Sequence, residues 1–200
     1  MATRLMDSLA ATDRLSEVFS DASVLEALLE FETALARAEV RCGVIPSAEA
    51  EKIHQTARAG GFDMGDLSRR ALRAGTIAIP LVETLKSRGL GAVHHGATSQ
   101  DAVDTGLVLL LRRSRGILAA DHARLLPAMA RLAEAHADTV MLGRTLLQPA
   151  PPVTFGLKAA GWLAAIRRGW SRVDSRFEEA LCLQFGGASG TLAATVSRSS

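Results

Sequence analysis

The chain has 200 residues, of which 48% are hydrophobic and 22% charged, an ordinary balance for a soluble globular protein of one large or two small domains. Its 23 basic and 21 acidic residues are spread along the chain and give a net charge of +2, so we expect no nucleic-acid partner. No run approaches the roughly 18 apolar residues of a spanning helix, and the N-terminus lacks the apolar core of a signal peptide or anchor. We therefore expect a cytoplasmic protein with no membrane partner.

The apolar residues favour helices over sheets, because Ala and Leu dominate them while Tyr is absent and aromatic residues total 4%. Val24, Leu28, Phe31 and Leu35 follow helical spacing and predict a helix from residue 23 to about 41, which ends at Gly43. Further helices are predicted over residues 47–58, 65–73 and 77–88.

A capping box marks the start of a much longer helix. Thr98-Ser-Gln-Asp101 has the T-x-x-D form, so a helix should begin at Ser99 and continue to about residue 137. A loop over 138–152 and another long helix over 153–181 follow. Because helices of this length need neighbours along their sides, we expect an oligomeric bundle. The prediction is an all-α fold, with an N-terminal helical domain over 1–98 and a partial central long-helix bundle over 99–200, its C-terminal part missing.

Chemistry is concentrated in three polar, glycine-marked segments, of which the first is VHHGATSQD. A helix N-terminus attracts a carboxylate through its unpaired N–H groups and the helix dipole, and Thr98, Ser99 and Gln100 add side-chain donors there. His94 and His95 add imidazole groups, the side-chain type suited to proton exchange at neutral pH. The alternative is an ordinary capped helix preceded by surface histidines.

The other two segments are GRTLLQPAPP and FGGASGT. Arg144 is suited to clamping a carboxylate through two hydrogen bonds, and Thr145 and Gln148 supply neutral ones. The alternative is a rigid connector with one exposed Arg. The glycine-rich segment suits wrapping backbone amides around an anion, although it lacks the Lys-Ser/Thr ending of a phosphate loop. The alternative there is a flexible surface turn.

None of these segments contains a nucleophile–base pair or a metal-ligand cluster. His54, His122 and His136 lie on predicted helices and are interpreted as surface or packing residues. Cys42 and Cys182 lack metal-ligand spacing and are expected to be buried thiols. The residues by themselves therefore predict a helical bundle with carboxylate-binding loops, and no particular reaction.

The order V-H-H-G-A-T-S-Q-D, G-R-T-L-L-Q-P-A-P-P and L-Q-F-G-G-A-S-G-T resembles the fumarase/aspartase superfamily. Within it, the chain is most similar to the branch of 3-carboxy-cis,cis-muconate cycloisomerases, whose members carry H-x-G-A-T-S-Q-D and G-R-T-x-L-Q. The opening segment SDASVLEALLEFETALARAE also matches that branch. The similarity extends from about residue 20 to 194.

This resemblance implies a homotetramer with active sites shared between subunits, a small polycarboxylate substrate, and no metal or other cofactor. It also implies proton transfer beside a carboxylate, through an enolate-like intermediate that many donors stabilise. By resemblance, the catalytic residues are His94, His95 and Ser99, and the substrate-binding residues are Thr98, Gln100, Arg144, Thr145 and Gln148.

The function implied is the N-terminal portion of a 3-carboxy-cis,cis-muconate cycloisomerase, a lactonising enzyme of aromatic degradation through protocatechuate and β-ketoadipate. The alternatives are a sister enzyme, such as adenylosuccinate lyase or 3-sulfomuconate cycloisomerase, and a non-catalytic remnant that oligomerises. Two positions depart from the family: Leu146 stands where the lyases have a histidine, and Pro149 where some cycloisomerases have one. The family's G-S-S-x-M-P-x-K-x-N loop is absent from these 200 residues.

Overall fold

The computed structural model describes residues 12–192, which are mainly helical, as predicted. Expectations for residues 1–11 and 193–200 lie outside this part. The described elements, in chain order, are α1 (Asp13–Val18), α2 (Asp21–Arg41), α3 (Ser47–Ala59), α4 (Met64–Ala74), α5 (Ala78–Ser87), α6 (Ser99–Ala135), β1 (Val140–Thr145), β2 (Gln148–Thr154) and α7 (Phe155–Ala180).

The described residues form two compact units. The first contains residues 12–111 and 181–192, and the second is Arg112–Ala180. The division falls inside α6, whereas the sequence predicts a domain boundary between residues 98 and 99, and that boundary stays a prediction.

The helix ends of the first unit follow from local capping. Ser20 begins α2, because its Oγ accepts the backbone N–H of Ser23 at 3.3 Å. Asp63 begins α4 in the same way, accepting the N–H of Asp66 at 2.9 Å. Gly75 ends α4 with a left-handed φ of 71°, a conformation that costs glycine little.

The core of the first unit gathers around one face of α2. Leu28, Phe31 and Leu35, which carry the helical spacing in the sequence, are all buried. They belong to one cluster with Ile53 of α3 and Leu81 of α5. Burial of such side chains contributes about 1.5–3 kcal/mol each, so this cluster holds α2 in place.

The prediction of a loop over residues 138–152 is wrong, because this stretch contains most of an antiparallel hairpin. β1 pairs with β2 in a register that sets Thr145 opposite Gln148, and the turn between them has only Leu146 and Leu147. Both leucines have positive φ, 39° and 62°, as a two-residue hairpin turn of type I′ requires. The usual Asn-Gly signal of such a turn is missing, which is why the sequence did not reveal it.

Glycine allows two close approaches in the second unit. A Cβ on Gly143 would lie 2.3 Å from the carbonyl oxygen of Pro151 across the hairpin. A Cβ on Gly156, at the start of α7, would lie 2.6 Å from the carbonyl oxygen of Ala133. Further along, Arg115 of α6 donates to Asp174 and Glu178 of α7, so an ion pair also joins the two helices.

The cysteine prediction is wrong, because Cys42 and Cys182 are both exposed. Each follows the end of a helix, Cys42 as the C-terminal cap of α2 and Cys182 two residues beyond α7. Within residues 12–192, no helix is both long and apolar enough to cross a membrane.

Candidate active site

The N-terminus of α6 lies where the capping box predicts it, and the side chain of Asp101 makes the hydrogen bond expected of the last residue of that motif. The helix begins at Ser99, and the Asp101 Oδ2 accepts the backbone N–H of Thr98 at 3.0 Å. Thr98 and Ser99 are half-buried, whereas Gln100 is exposed and donates to Asp104 one turn further on. The helix end therefore presents small hydroxyl side chains beside its positive dipole, an arrangement suited to an anion.

Asp101 joins this helix end to the glycine-rich segment. It is fully buried and also accepts the backbone N–H groups of Gly186 at 3.0 Å and Gly187 at 2.9 Å. Burial by itself would raise the pKa of Asp101, but the bonds from Thr98, Gly187 and Gly186 outweigh it and hold the pKa below its ordinary value. The backbone N–H groups of Gly186 and Gly187, the two adjacent glycines of FGGASGT, thus bind a carboxylate of the protein itself.

The glycine-rich segment lies against the turn that carries the two histidines. A Cβ on Gly187 would lie 2.8 Å from the carbonyl oxygen of Gly96. Thr105 holds the preceding residues, since its Oγ1 donates to the Gln184 carbonyl at 3.0 Å and accepts the Gln184 N–H at 3.2 Å. Residues 94–101 and 184–187 therefore form one assembly in the first unit.

His94 contacts a buried carboxylate on α2. Its Nδ1 lies 2.6 Å from the Oε1 of Glu32, whose side chain is only 2% exposed. The imidazole is itself 12% exposed and lies near the ring of Phe31, at 6.5 Å between centroids. The backbone at His94 has a φ of 59°, which residues other than glycine rarely adopt.

His95 contacts a second carboxylate two turns along the same helix. Its Nδ1 lies 3.0 Å from the Oε1 of Glu39, and Glu39 is buried whereas His95 is more exposed. Burial raises the pKa of Glu39, the bond to His95 partly offsets this, and the negative charge of Glu32 adds to the rise. The two histidines are thus held by two carboxylates on one face of α2.

The remaining predicted residues lie in the hairpin of the second unit. Arg144, Thr145 and Gln148 are exposed near its tip, where they border an open depression of about 470 Å³ together with Leu142, Leu146, Leu147 and Pro149. Arg144 pairs with Pro149 across the hairpin, next to the Thr145–Gln148 pair. The fold thus groups the predicted residues into two sets, one in each unit.

Sequence analysis missed Glu32, Glu39 and the clamping role of Asp101. A signal was present for Glu32, because it lies one turn after Leu28 on the apolar face of α2, and a charged residue at a core position needs a partner. A larger groove, about 670 Å³, lies along α2 and α3 but contains none of the predicted site residues. Among residues 12–192, no group of three or more His, Cys, Asp or Glu is placed to hold a metal ion.

The helical architecture and the three segments define a class of protein. A model of the family described as Lyase matches residues 7–199. The chain therefore belongs to this lyase family, part of the fumarase/aspartase superfamily, as the motifs predict.

The relatives found are more specific. The chain is 47% identical to the 3-carboxy-cis,cis-muconate cycloisomerase of Pseudomonas aeruginosa over 96% of its own length and 44% of that protein. It is 42% identical to the enzyme of the same name from Pseudomonas putida, over 99% of this chain and 49% of that protein. The chain thus spans about half the length of these curated relatives.

A solved structure agrees with these sequence matches. The crystal structure of the 3-carboxy-cis,cis-muconate lactonizing enzyme from Pseudomonas putida superposes with a TM-score of 0.91 and 43% identity, covering 96% of this chain and 45% of that one. The predicted family and fold class are therefore confirmed.

Proposed function

We propose that this chain is the N-terminal portion of a 3-carboxy-cis,cis-muconate cycloisomerase. The observation that carries the proposal is its 47% identity to an enzyme of that name over 96% of the chain. The site is compatible with it, because hydroxyl and amide donors at a helix N-terminus, two histidines and an exposed arginine suit a substrate with several carboxylates.

In the proposed reaction, one carboxylate oxygen of the diene substrate bonds to an alkene carbon and closes a lactone, while a proton is added to the neighbouring carbon. Negative charge builds up on the carboxylate beside that carbon. Thr98, Ser99 and Gln100 at the N-terminus of α6 would stabilise this charge, and His94 and His95 would exchange protons. Arg144, Thr145 and Gln148 of the hairpin would bind further carboxylate groups.

The proposal also covers the location, the pathway and the oligomeric state of the enzyme. We place it in the cytoplasm, in protocatechuate degradation through β-ketoadipate, as a homotetramer in which hairpin and helix N-terminus of different subunits share a substrate. The 200 residues lack the G-S-S-x-M-P-x-K-x-N loop of the superfamily, so turnover is expected of the protein made from the complete reading frame.

The test is an assay of that protein with 3-carboxy-cis,cis-muconate. We expect loss of the diene's ultraviolet absorbance with formation of a lactone, identified by NMR. Turnover of adenylosuccinate or 3-sulfomuconate in its place would assign a sister enzyme and overturn the proposal. Oligomers by light scattering, without turnover of any of the three, would favour a non-catalytic remnant.

A further inference from the structure

The two buried glutamates of α2 are the feature that the proposed function leaves unexplained. Glu32 and Glu39 are seven residues apart, two helical turns or about 10 Å along the axis. They contact the adjacent residues His94 and His95. The backbone at His94, the first of these two residues, lies in the left-handed region, with a φ of 59°.

Structural support alone is a weak reason for this arrangement. Burying the carboxyl groups of Glu32 and Glu39 costs desolvation energy that offsets what their contacts contribute, and apolar side chains of similar volume often stabilise more. The left-handed backbone at His94 costs about 1 kcal/mol or more in addition. Within the described chain, moreover, the Oε2 atoms of Glu32 and Glu39 are buried without a hydrogen-bond partner. These contacts therefore lower the stability of the fold, which favours a role for them in the reaction.

We propose that Glu32 is a positioning residue, which holds His94 with its proton on Nδ1 and leaves Nε2 as the nitrogen that meets the ligand. The contact of 2.6 Å joins the Nδ1 of His94 to the Oε1 of Glu32, and because a carboxylate in its ionised form only accepts hydrogen bonds, we assign the proton of this contact to Nδ1. Nε2 makes no hydrogen bond within the described residues. The packing of Glu32 on the core face of α2 fixes the ring orientation as well.

This inference rests on the proposed function only for the identity of the ligand. The pairing itself predicts a protonation pattern in the protein without substrate, so the two ideas are tested separately. Glu39 and His95 provide a matched comparison on the same helix, with a longer contact of 3.0 Å and a more exposed ring.

The experiment is nitrogen NMR of the protein labelled with 15N-histidine, with the His94 signal assigned by its loss in His94→Gln. We expect the proton of neutral His94 on Nδ1 in the parent, and on Nε2, the form that free imidazole prefers, in Glu32→Leu. Glu32→Gln retains an acceptor oxygen and should retain the Nδ1–H form. Glu39→Leu should change the signal of His95 and leave that of His94 unchanged.

Turnover provides a second reading in the complete protein. Glu32→Leu should lower kcat roughly 100-fold through the misplaced ring, with Glu32→Gln closer to the parent, whereas Glu51→Gln on the exposed face of α3 should leave kcat unchanged. An Nε2–H form of His94 in the parent would overturn the inference even if Glu32→Leu does not fold. Parent protein with the Nδ1–H form but no turnover of 3-carboxy-cis,cis-muconate would refute the substrate assignment and leave the pairing in place.

Discussion

The Oδ2 of Asp101 accepts the backbone N–H of Gly187 at 2.9 Å, across 86 residues of chain. The same carboxylate accepts the N–H groups of Thr98 and Gly186. One buried side chain therefore caps α6 and fastens the glycine-rich segment beside the histidine turn. The candidate site in the first unit depends on this connection for its shape.

Asp101→Asn should destabilise the protein by about 2–3 kcal/mol, because an amide cannot accept all three N–H donors and has no charge. The pKa of Asp101 is lowered in the folded state, so its contribution is complete above its unfolded pKa of ~3.9 and is lost as pH falls through the folded value. Urea unfolding across this range measures the effect. Asp104→Asn, at an exposed pair with Gln100, is the control, and equal losses in both variants would contradict the role of Asp101.

Gly187→Ala tests the contact with the histidine turn. Gly187 and Gly190 share a φ of +72°, but only Gly187 faces an atom within 4 Å, the carbonyl oxygen of Gly96 at 2.8 Å from the added Cβ. Both alanine variants are expected to lose about 1 kcal/mol from backbone strain, and Gly187→Ala about 1–3 kcal/mol more from overpacking. Thermal unfolding of the two proteins gives the difference. Equal stability would mean that the segment moves away from Gly96 without loss.

Alanine substitutions at two glycines of α7 should change the stability of the protein in opposite directions. At Gly156 the added Cβ would lie 2.6 Å from the Ala133 carbonyl oxygen and 2.7 Å from that of His136, so Gly156→Ala should destabilise by about 1–3 kcal/mol. At Gly161 nothing lies within 4 Å, so Gly161→Ala should stabilise the helix by up to about 1 kcal/mol. Chemical denaturation of both variants measures the contrast. Stabilisation by Gly156→Ala would contradict the close packing of α6 on the start of α7.

Much of the helical fold was predictable, because its signals are local. The spacing of Leu28, Phe31 and Leu35 revealed α2, and the Thr98–Asp101 box gave the first residue of α6. The hairpin was not predictable from turn chemistry, since Leu146 and Leu147 stand in left-handed conformations that Asn or Gly usually occupy. Tertiary pairing of β1 and β2 overrides that local preference.

The candidate site, like the fold, was predictable from the sequence only in part. His94, Thr98 and Ser99 were recognisable beside a helix N-terminus, because the motif is contiguous. Glu32 and Glu39 were not, since their contacts with the histidines span 62 and 56 residues. Spacing along α2 marks Glu32 as a charged residue on the apolar face, but it does not indicate which residue is its partner. Three-dimensional packing alone places a carboxylate beside each ring.

Glu39→Gln should alter the pH dependence of stability. Burial raises the folded-state pKa of Glu39, so its favourable contribution is complete below its unfolded pKa of ~4.3 and is lost as pH rises through the folded value. The parent should therefore lose stability relative to Glu39→Gln as pH rises across that interval. Urea unfolding at several pH values measures this, with Glu51→Gln on the exposed face of α3 as control. A constant difference between parent and Glu39→Gln would show that burial does not penalise the Glu39 charge.

Arg144→Ala and Ser99→Ala test the two halves of the proposed site. Each should weaken polycarboxylate binding by about 1.5–3 kcal/mol if the side chain makes a charge-assisted hydrogen bond to substrate. Arg144 is exposed on β1, so its removal should leave unfolding unchanged and separate binding from stability. The measurement is KM and kcat for 3-carboxy-cis,cis-muconate in the complete protein.

Arg124→Ala is the matched control for Arg144, because Arg124 is exposed on α6 and pairs only weakly with Asp121, at 3.4 Å. It should leave both kinetic constants unchanged. A loss confined to Ser99→Ala would restrict the carboxylate contacts to the first unit and exclude Arg144 from them. Unaltered kinetics in both Ser99→Ala and Arg144→Ala would remove the helix N-terminus and the hairpin from the site together. Carboxylate recognition would then have to be sought outside residues 94–101 and 144–148.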